Sequence, residues 1–318
     1  MSGETTIADG GGDGAVTAAG THVQAGILDE SSTSHCVQQY EVVGGVDVAA
    51  LRAAIGDIRE LAGAERGPDH VVIAVGASLL GTLAPDEMPA GMRPFTPIHG
   101  VDGHVVPATQ DDLLVWFSSS TADRCLSGAW LARRALDGLA DLTGETHGFQ
   151  YFDHQDLTGF EDGTENPKGE ERIEVAAIAD GPSAGGSFVV AMRWVHDLSA
   201  FELMEVDEQE LVFGRTKDGS EELDPMPECA HVERVVMEDA DGEEREIYRR
   251  SFPYGSTDEL GLFFLAFNAD IDTFQDMLDR MYGVTDGLRD RLTDVSHPVT
   301  AAYYVAPTVE VLDAVVAG

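Results

Sequence analysis

Strand-length apolar runs, met twice in the same order, constrain this chain more than anything else in it. VVIAV at 71–75, DDLLVWFS at 111–118, SFVVAMRW at 187–194, GLFFLAFN at 261–268 and VTAAYYV at 299–305 are rich in β-branched and aromatic residues. Each is far shorter than the roughly 20 apolar residues a membrane-crossing helix needs. Helical patterns separate them. Asp47 is placed to cap a helix with Leu51, Ile55, Ile58 and Leu61 on one face, and Asp270 one with Phe274, Met277, Leu278 and Met281. Further helices are expected over 122–142 and, after Asp197, through about 214. With strands over 37–43 and 148–152, the first half reads βαββαβ. With a strand over 231–237, the second half repeats that order. The expected fold is α+β: two tandem ferredoxin-like units, 25–152 and 187–308, with antiparallel sheets facing each other. A Gly-rich acidic tail (1–24), a connecting segment (153–186) and a short apolar tail (309–318) complete the division.

Charge limits the function classes. The 318 residues carry 58 acidic and 19 basic side chains, net −39, yet 43% are hydrophobic. That apolar share argues for a core and against disorder. Repulsion of this size suits a protein working in concentrated salt, where screening shrinks to a few ångströms. It argues against nucleic acids and anionic membranes as partners. The N-terminal residues lack the basic start and apolar run of a secretory signal, so a cytoplasmic location is expected. Three widely spaced cysteines, Cys36, Cys125 and Cys229, support neither a disulfide framework nor a zinc site.

The connecting segment contains Gly159-Phe160-Glu161-Asp162-Gly163-Thr164-Glu165-Asn166-Pro167. Two glycines bracketing an aspartate allow a positive-φ backbone and close approach to a ligand, and the proline fixes the exit. Taken alone, the run reads first as a surface Asx-turn, with a loop presenting Asp162 to a cavity as the alternative.

The run resembles the GFxDGxxNP motif of the dye-decolourising peroxidases. Other segments match that family in order: RWVHDL at 193–198, Ala230-His231-Val232, Tyr248-Arg249-Arg250-Ser251-Phe252-Pro253-Tyr254-Gly255, GLFFLAF at 261–267, and Pro298-Val299-Thr300 with Tyr303-Tyr304. The resemblance spans about 27–308 and is nearest to the B-type branch. It implies one haem b per chain and a peroxidase reducing hydrogen peroxide while oxidising a dye- or phenol-like molecule or a metal ion.

The resemblance also implies roles. His231 would be the axial ligand of the haem iron, with Asp290 first and Asp294 second as the carboxylate behind it. Asp162 would move a proton between the peroxide oxygens, and Arg249 would stabilise the negative charge developing there. Ser251 would add a hydrogen-bond donor. Leu262 and Phe264, on one face of a strand by period two, would cover the haem. Asn166 would touch a haem propionate edge. Arg250 reads as a surface salt-bridging cation and His196 as structural. Trp194, Trp116, Trp130, Tyr303 and Tyr304 are candidate electron relays. A homo-oligomer is expected, and the 309–318 tail lacks the linker of a shell-docking peptide. Two further readings stand beside the peroxidase: a haem-handling protein with incidental peroxidase activity, and a ferredoxin-like binding module without haem.

Overall fold

The computed structural model describes residues 22–152 and 154–318. The expected tail lies outside the described residues as far as 21. Its last positions are already packed: Val23 and Gln24 are buried, and the Gln24 amide donates to the Ile73 and Pro307 carbonyls at 2.8 and 2.9 Å.

The first half comprises α1 (Ala25–Leu28), β1 (Ser34–Val42), α2 (Val48–Arg59), β2 (His70–Val75), α3 (Ala77–Leu83), β3 (Ile98–His99), β4 (Val105–Val106), β5 (Leu113–Ser119), α4 (Ala122–Ala135) and β6 (Ala140–Phe149). The second comprises α5 (Glu171–Ala176), β7 (Ser187–His196), α6 (Leu198–Phe201), α7 (Val206–Phe213), α8 (His231–Val235), β8 (Tyr248–Arg249), β9 (Phe252–Gly255), β10 (Leu260–Asn268), α9 (Ile271–Met281), β11 (Ser296–Ala306) and α10 (Val309–Ala317). The predicted caps form. The Asp47 carboxylate accepts from the Ala49 and Ala50 amides, Asp197 from Ala200 and Asp270 from Asp272, satisfying donors a helix start leaves orphaned.

Both halves lay their strands in the ferredoxin-like order, β2-β5-β1-β6 and β11-β7-β10-β9. The two antiparallel sheets meet at two corners, each a single residue pair, Val75 with Val305 and Gly148 with Tyr254. β8 and β9 lie along the same edge of β10 in one register: Arg249 faces Ala266, and Pro253 faces Leu262. They are two pieces of one strand, interrupted at Arg250–Ser251. The nine-stranded sheet therefore closes into a barrel.

Val37, Trp116, Val189, Phe252, Phe263, Leu265, Phe267 and Tyr304 fill the inside. Outside, α2 and α4 seal the first half, burying Leu51, Ile55, Ile58 and Ala129 with Ile73, Val115 and Phe117. α9 brings Phe274, Met277 and Met281 to the same outer core. Each such large side chain contributes roughly 1.5–3 kcal/mol on burial.

Three sequence expectations are corrected. Residues 231–237 open with the helix α8, not a strand; their β-branched composition hides Val232, Val235 and Val236 at helical spacing. The helix expected over 122–142 stops at Ala135, and after the turn at 136–139 the chain enters β6. The last strand of this half thus precedes the predicted 148–152, in a stretch whose alternating polar residues conceal it. Between β2 and β5 the chain also forms α3 and the β3–β4 hairpin.

Candidate active site

The alternation of a strand builds one wall of the site. Arg249 and Pro253 face Ala266 and Leu262 across the ladder, and the same register sets Ser251 opposite Phe264. Arg249, Ser251, Leu262 and Phe264 therefore share the outer face of the barrel, while Tyr248, Phe252, Phe263 and Leu265 point inward to the core. Leu262 and Phe264 stay only half-buried, unlike the residues between them. Ser251 Oγ is buried with no hydrogen-bond partner among the described residues.

The same alternation corrects Arg250. It is not a surface salt-bridging cation: its guanidinium lies over the Trp116 ring at 5.8 Å and donates to the Asp29 carbonyl. Beside it, His35 stacks on Phe252 with ring centroids 4.6 Å apart and planes 12° apart. Burial, and then the neighbouring Arg250 charge, push the imidazole down from 6.5 to about 3.

The connecting segment supplies the facing wall. Gly159 and Gly163 both take positive φ (84° and 79°), as the motif requires. Asp162 Oδ1 lies 3.5 Å from Arg249 Nη1, with both side chains about a quarter exposed. Exposure of that order leaves such an ion pair little net stabilisation, so its value is positional. Asn166 clamps the arginine by its backbone: Asn166 Nδ2 donates to the Arg249 carbonyl at 2.7 Å, and the Arg249 amide donates to Asn166 Oδ1 at 2.9 Å. The asparagine thus holds the arginine, a task different from the expected propionate contact. Asp162, Asn166, Arg249 and Ser251 line a cleft of about 290 Å³, which His35 and Arg250 also line.

His231 opens α8. Its Nδ1 lies 2.6 Å from Asp290 Oδ2. The Asp290 carboxylate is fully buried, and its other oxygen accepts the Leu292 amide at 2.8 Å. A buried charge so satisfied is tolerable, and the other ring nitrogen of His231 has no partner among the described residues. Asp294, the second choice from sequence, pairs with Arg289 instead, at 2.6 Å.

Phe213 joins the two parts of the site. It stacks on Phe160 of the glycine-bracketed loop at 3.9 Å and meets the His231 ring edge-on at 6.3 Å. Phe160, Phe201 and Val295 form a small core of their own around it. Phe213 had no distinguishing sequence signal. Of the aromatic relay candidates, Trp116, Tyr303 and Tyr304 are fully buried and Trp194 is 7% exposed, whereas Trp130 is 58% exposed on α4.

Family models match nearly all of this architecture: Dyp-type peroxidase, N-terminal, over residues 44–150, and Dyp-type peroxidase, C-terminal, over 153–311. The chain belongs to the DyP-type peroxidase family. The dye-decolorizing peroxidase of Mycobacterium tuberculosis is 36% identical over 250 residues, covering 76% of this chain and 74% of that protein. A DypB variant of Rhodococcus jostii RHA1, solved in complex with haem, superposes with a TM-score of 0.85 at 32% identity, over 92% of this chain and 98% of its own. The encapsulated DyP-type peroxidase of Mycobacterium smegmatis gives 0.84 at 32% identity, over 90% and 96%. The α+β, duplicated ferredoxin-like reading agrees with these DyP-type structures, and the chain is an oxidoreductase of the peroxidase type. No helix among the described residues is long and apolar enough to cross a membrane.

Proposed function

We propose that the chain binds one haem b in its C-terminal half, through His231, and reduces hydrogen peroxide while oxidising a dye- or phenol-like molecule or a metal ion. One observation carries this reading: an imidazole whose Nδ1 is spent on a fully buried carboxylate 2.6 Å away. That arrangement orients a histidine and makes its free nitrogen a better metal ligand. The half-buried Leu262 and Phe264 and the unpartnered Ser251 hydroxyl would suit contact with a large, mostly apolar group such as haem.

The chemistry haem supplies when bound is redox: a two-electron exchange with peroxide and one-electron exchanges with the reductant. Around it the chain moves protons and holds charge. Asp162 Oδ1 accepts the proton from one peroxide oxygen and returns it to the other. The Arg249 guanidinium, charged at all working pH values, stabilises the negative charge that grows as the O–O bond breaks. Ser251 Oγ donates a hydrogen bond into the same space. Two protons and two electrons convert one peroxide to two waters.

The net charge of −39 supports a cytoplasm rich in salt as the working environment, and a homo-oligomer is the assembly we infer. Residues 309–317 form α10, whose Leu312 and Val315 are buried in the outer core. The test is a Soret spectrum of the protein made with a haem precursor and purified in high salt, beside His231→Ala. A band lost or shifted in the variant is the expected result. A folded parent without a Soret band would leave the haem-free binding module. A haem-storing protein would show the band but react slowly with peroxide, whatever stands at 249.

A further inference from the structure

The RWVHDL segment ends β7 with a histidine that the reaction above does not use. His196 is buried at the end of that strand, directly across the ladder from Ser296. Its Nδ1 lies 2.8 Å from Ser296 Oγ, and its Nε2 lies 3.3 Å from Asp156 Oδ1. Asp156 belongs to the connecting segment and is itself buried. Its other carboxylate oxygen accepts both the amide and the hydroxyl of Thr158, at 3.1 and 2.7 Å.

The rest of that segment is organised around Asp156. The Asp156 amide donates to the Phe160 carbonyl at 2.8 Å, and the Gly159 amide donates to the Asp156 carbonyl at 2.9 Å. Gln155 and Glu161 form a bridge, and the Asp162 amide donates to the His154 carbonyl at 3.0 Å. Residues 154–162 therefore make a miniature hairpin with Asp162 at its end. Two anchors hold it to the C-terminal half: Phe160 in the aromatic core with Phe213, and Asp156 on His196. Asp162 has little of its own to hold it. Its side chain is partly exposed and, among the described residues, pairs only with Arg249, at 3.5 Å.

We propose that His196 and Asp156 are a positioning pair that sets Asp162 against Arg249, fixing the peroxide-side carboxylate from the end of β7. The proposal rests on Asp162 having the proton-handling role given above. Burial alone would push the Asp156 carboxyl up. The His196 hydrogen bond and charge and the Thr158 hydrogen bonds outweigh it and hold the group below its ordinary range, which keeps the anchor ionised. Removing one partner would leave a buried polar group unpaired, and the hairpin would shift. Displacement of a reacting group by about 1 Å can cost up to about 10²-fold in rate.

The test is a double-mutant cycle on the haem-loaded protein. His196→Ala and Asp156→Ala are each expected to slow the second-order reaction with peroxide by about 10- to 100-fold per haem. Soret position, haem content and the KM for a dye reductant should stay unchanged. His196→Gln, whose amide nitrogen can reach the place of Nε2, should recover most of the rate, and Asp156→Asn should lie between. In an Asp162→Ala background the same changes should be nearly silent, because partners in one device are not additive. Hydrogen exchange offers a second readout, with amides 154–166 opening faster in His196→Ala and the α2 and α4 amides unaltered. Equal slowing with and without Asp162 would overturn the proposal. So would loss of haem or thermal stability with an unchanged peroxide rate per haem. If His196→Ala fails to fold, Asp156→Asn against His196→Gln carries the same comparison. A parent chain with no Soret band or peroxide reaction would instead sink the peroxidase reading itself.

Discussion

The two halves share one strand order and differ in what covers the outer face of the sheet. In the N-terminal half a single amphipathic helix, α2, links the first two strands, and with α4 it seals that face. In the C-terminal half the same link is the long excursion from Asp197 to Ile247, broken into α6, α7 and α8; it delivers His231 and leads into β8, which carries Arg249. There the sheet keeps Leu262 and Phe264 half-buried. One half completes its core with its own side chains; the other leaves a place for a guest. A duplicated fold can thus give one copy to stability and the other to chemistry.

That division can be broken by experiment. The largest effect is expected from Phe117→Ala, under α4. It should cost about 3–5 kcal/mol of stability in denaturant titrations and leave the Soret position alone; a shifted spectrum would mean the halves are not separable. Next, Arg249→Leu should slow the peroxide reaction by about 10²–10³-fold with little change in melting temperature. Asp290→Asn should weaken haem retention by about 10- to 100-fold, measured by transfer to an apo-globin acceptor. The smallest effect crosses between the halves, because His35 lies on β1 yet lines the cleft. Its folded value of about 3 lies below the ordinary 6.5. Between those values the unfolded chain takes up a proton that the folded chain refuses, so stability falls as pH drops from about 6.5 toward 3. His35→Phe keeps the stack on Phe252 and should flatten that part of the stability–pH curve. An unchanged slope would show that the imidazole is not held neutral.

Local signals were legible where local physics decides. The helical spacing of Leu51, Ile55 and Ile58 and the caps Asp47, Asp197 and Asp270 are short-range features, and the structure keeps them. The pair of glycines around Asp162 was readable for the same reason. Period two was readable too, and applied to Tyr248–Gly255 it would have turned Arg250 away from solvent. What stayed hidden depends on distant partners. Asp290 and Asp294 look alike in sequence, and only their partners in space separate them: Asp290 meets His231 and Asp294 meets Arg289. Asp156 needs His196, and Phe213 needs Phe160, across stretches with no shared pattern. The short helix at His231 was missed because β-branched residues outweighed a single turn of helical spacing.

Closure of the barrel bears on how these molecules behave toward one another. An open sheet presents a row of unpaired backbone groups at each edge, and such edges recruit other chains. Here the two single-pair corners join those edges to each other. In concentrated salt the Debye length is only about 3 Å at 1 M, so even a charge of −39 no longer keeps neighbours apart, while salting-out ions strengthen apolar association. Colloidal stability under such conditions then leans on geometry: a nine-stranded sheet whose edges meet each other offers less of a template for another strand to join.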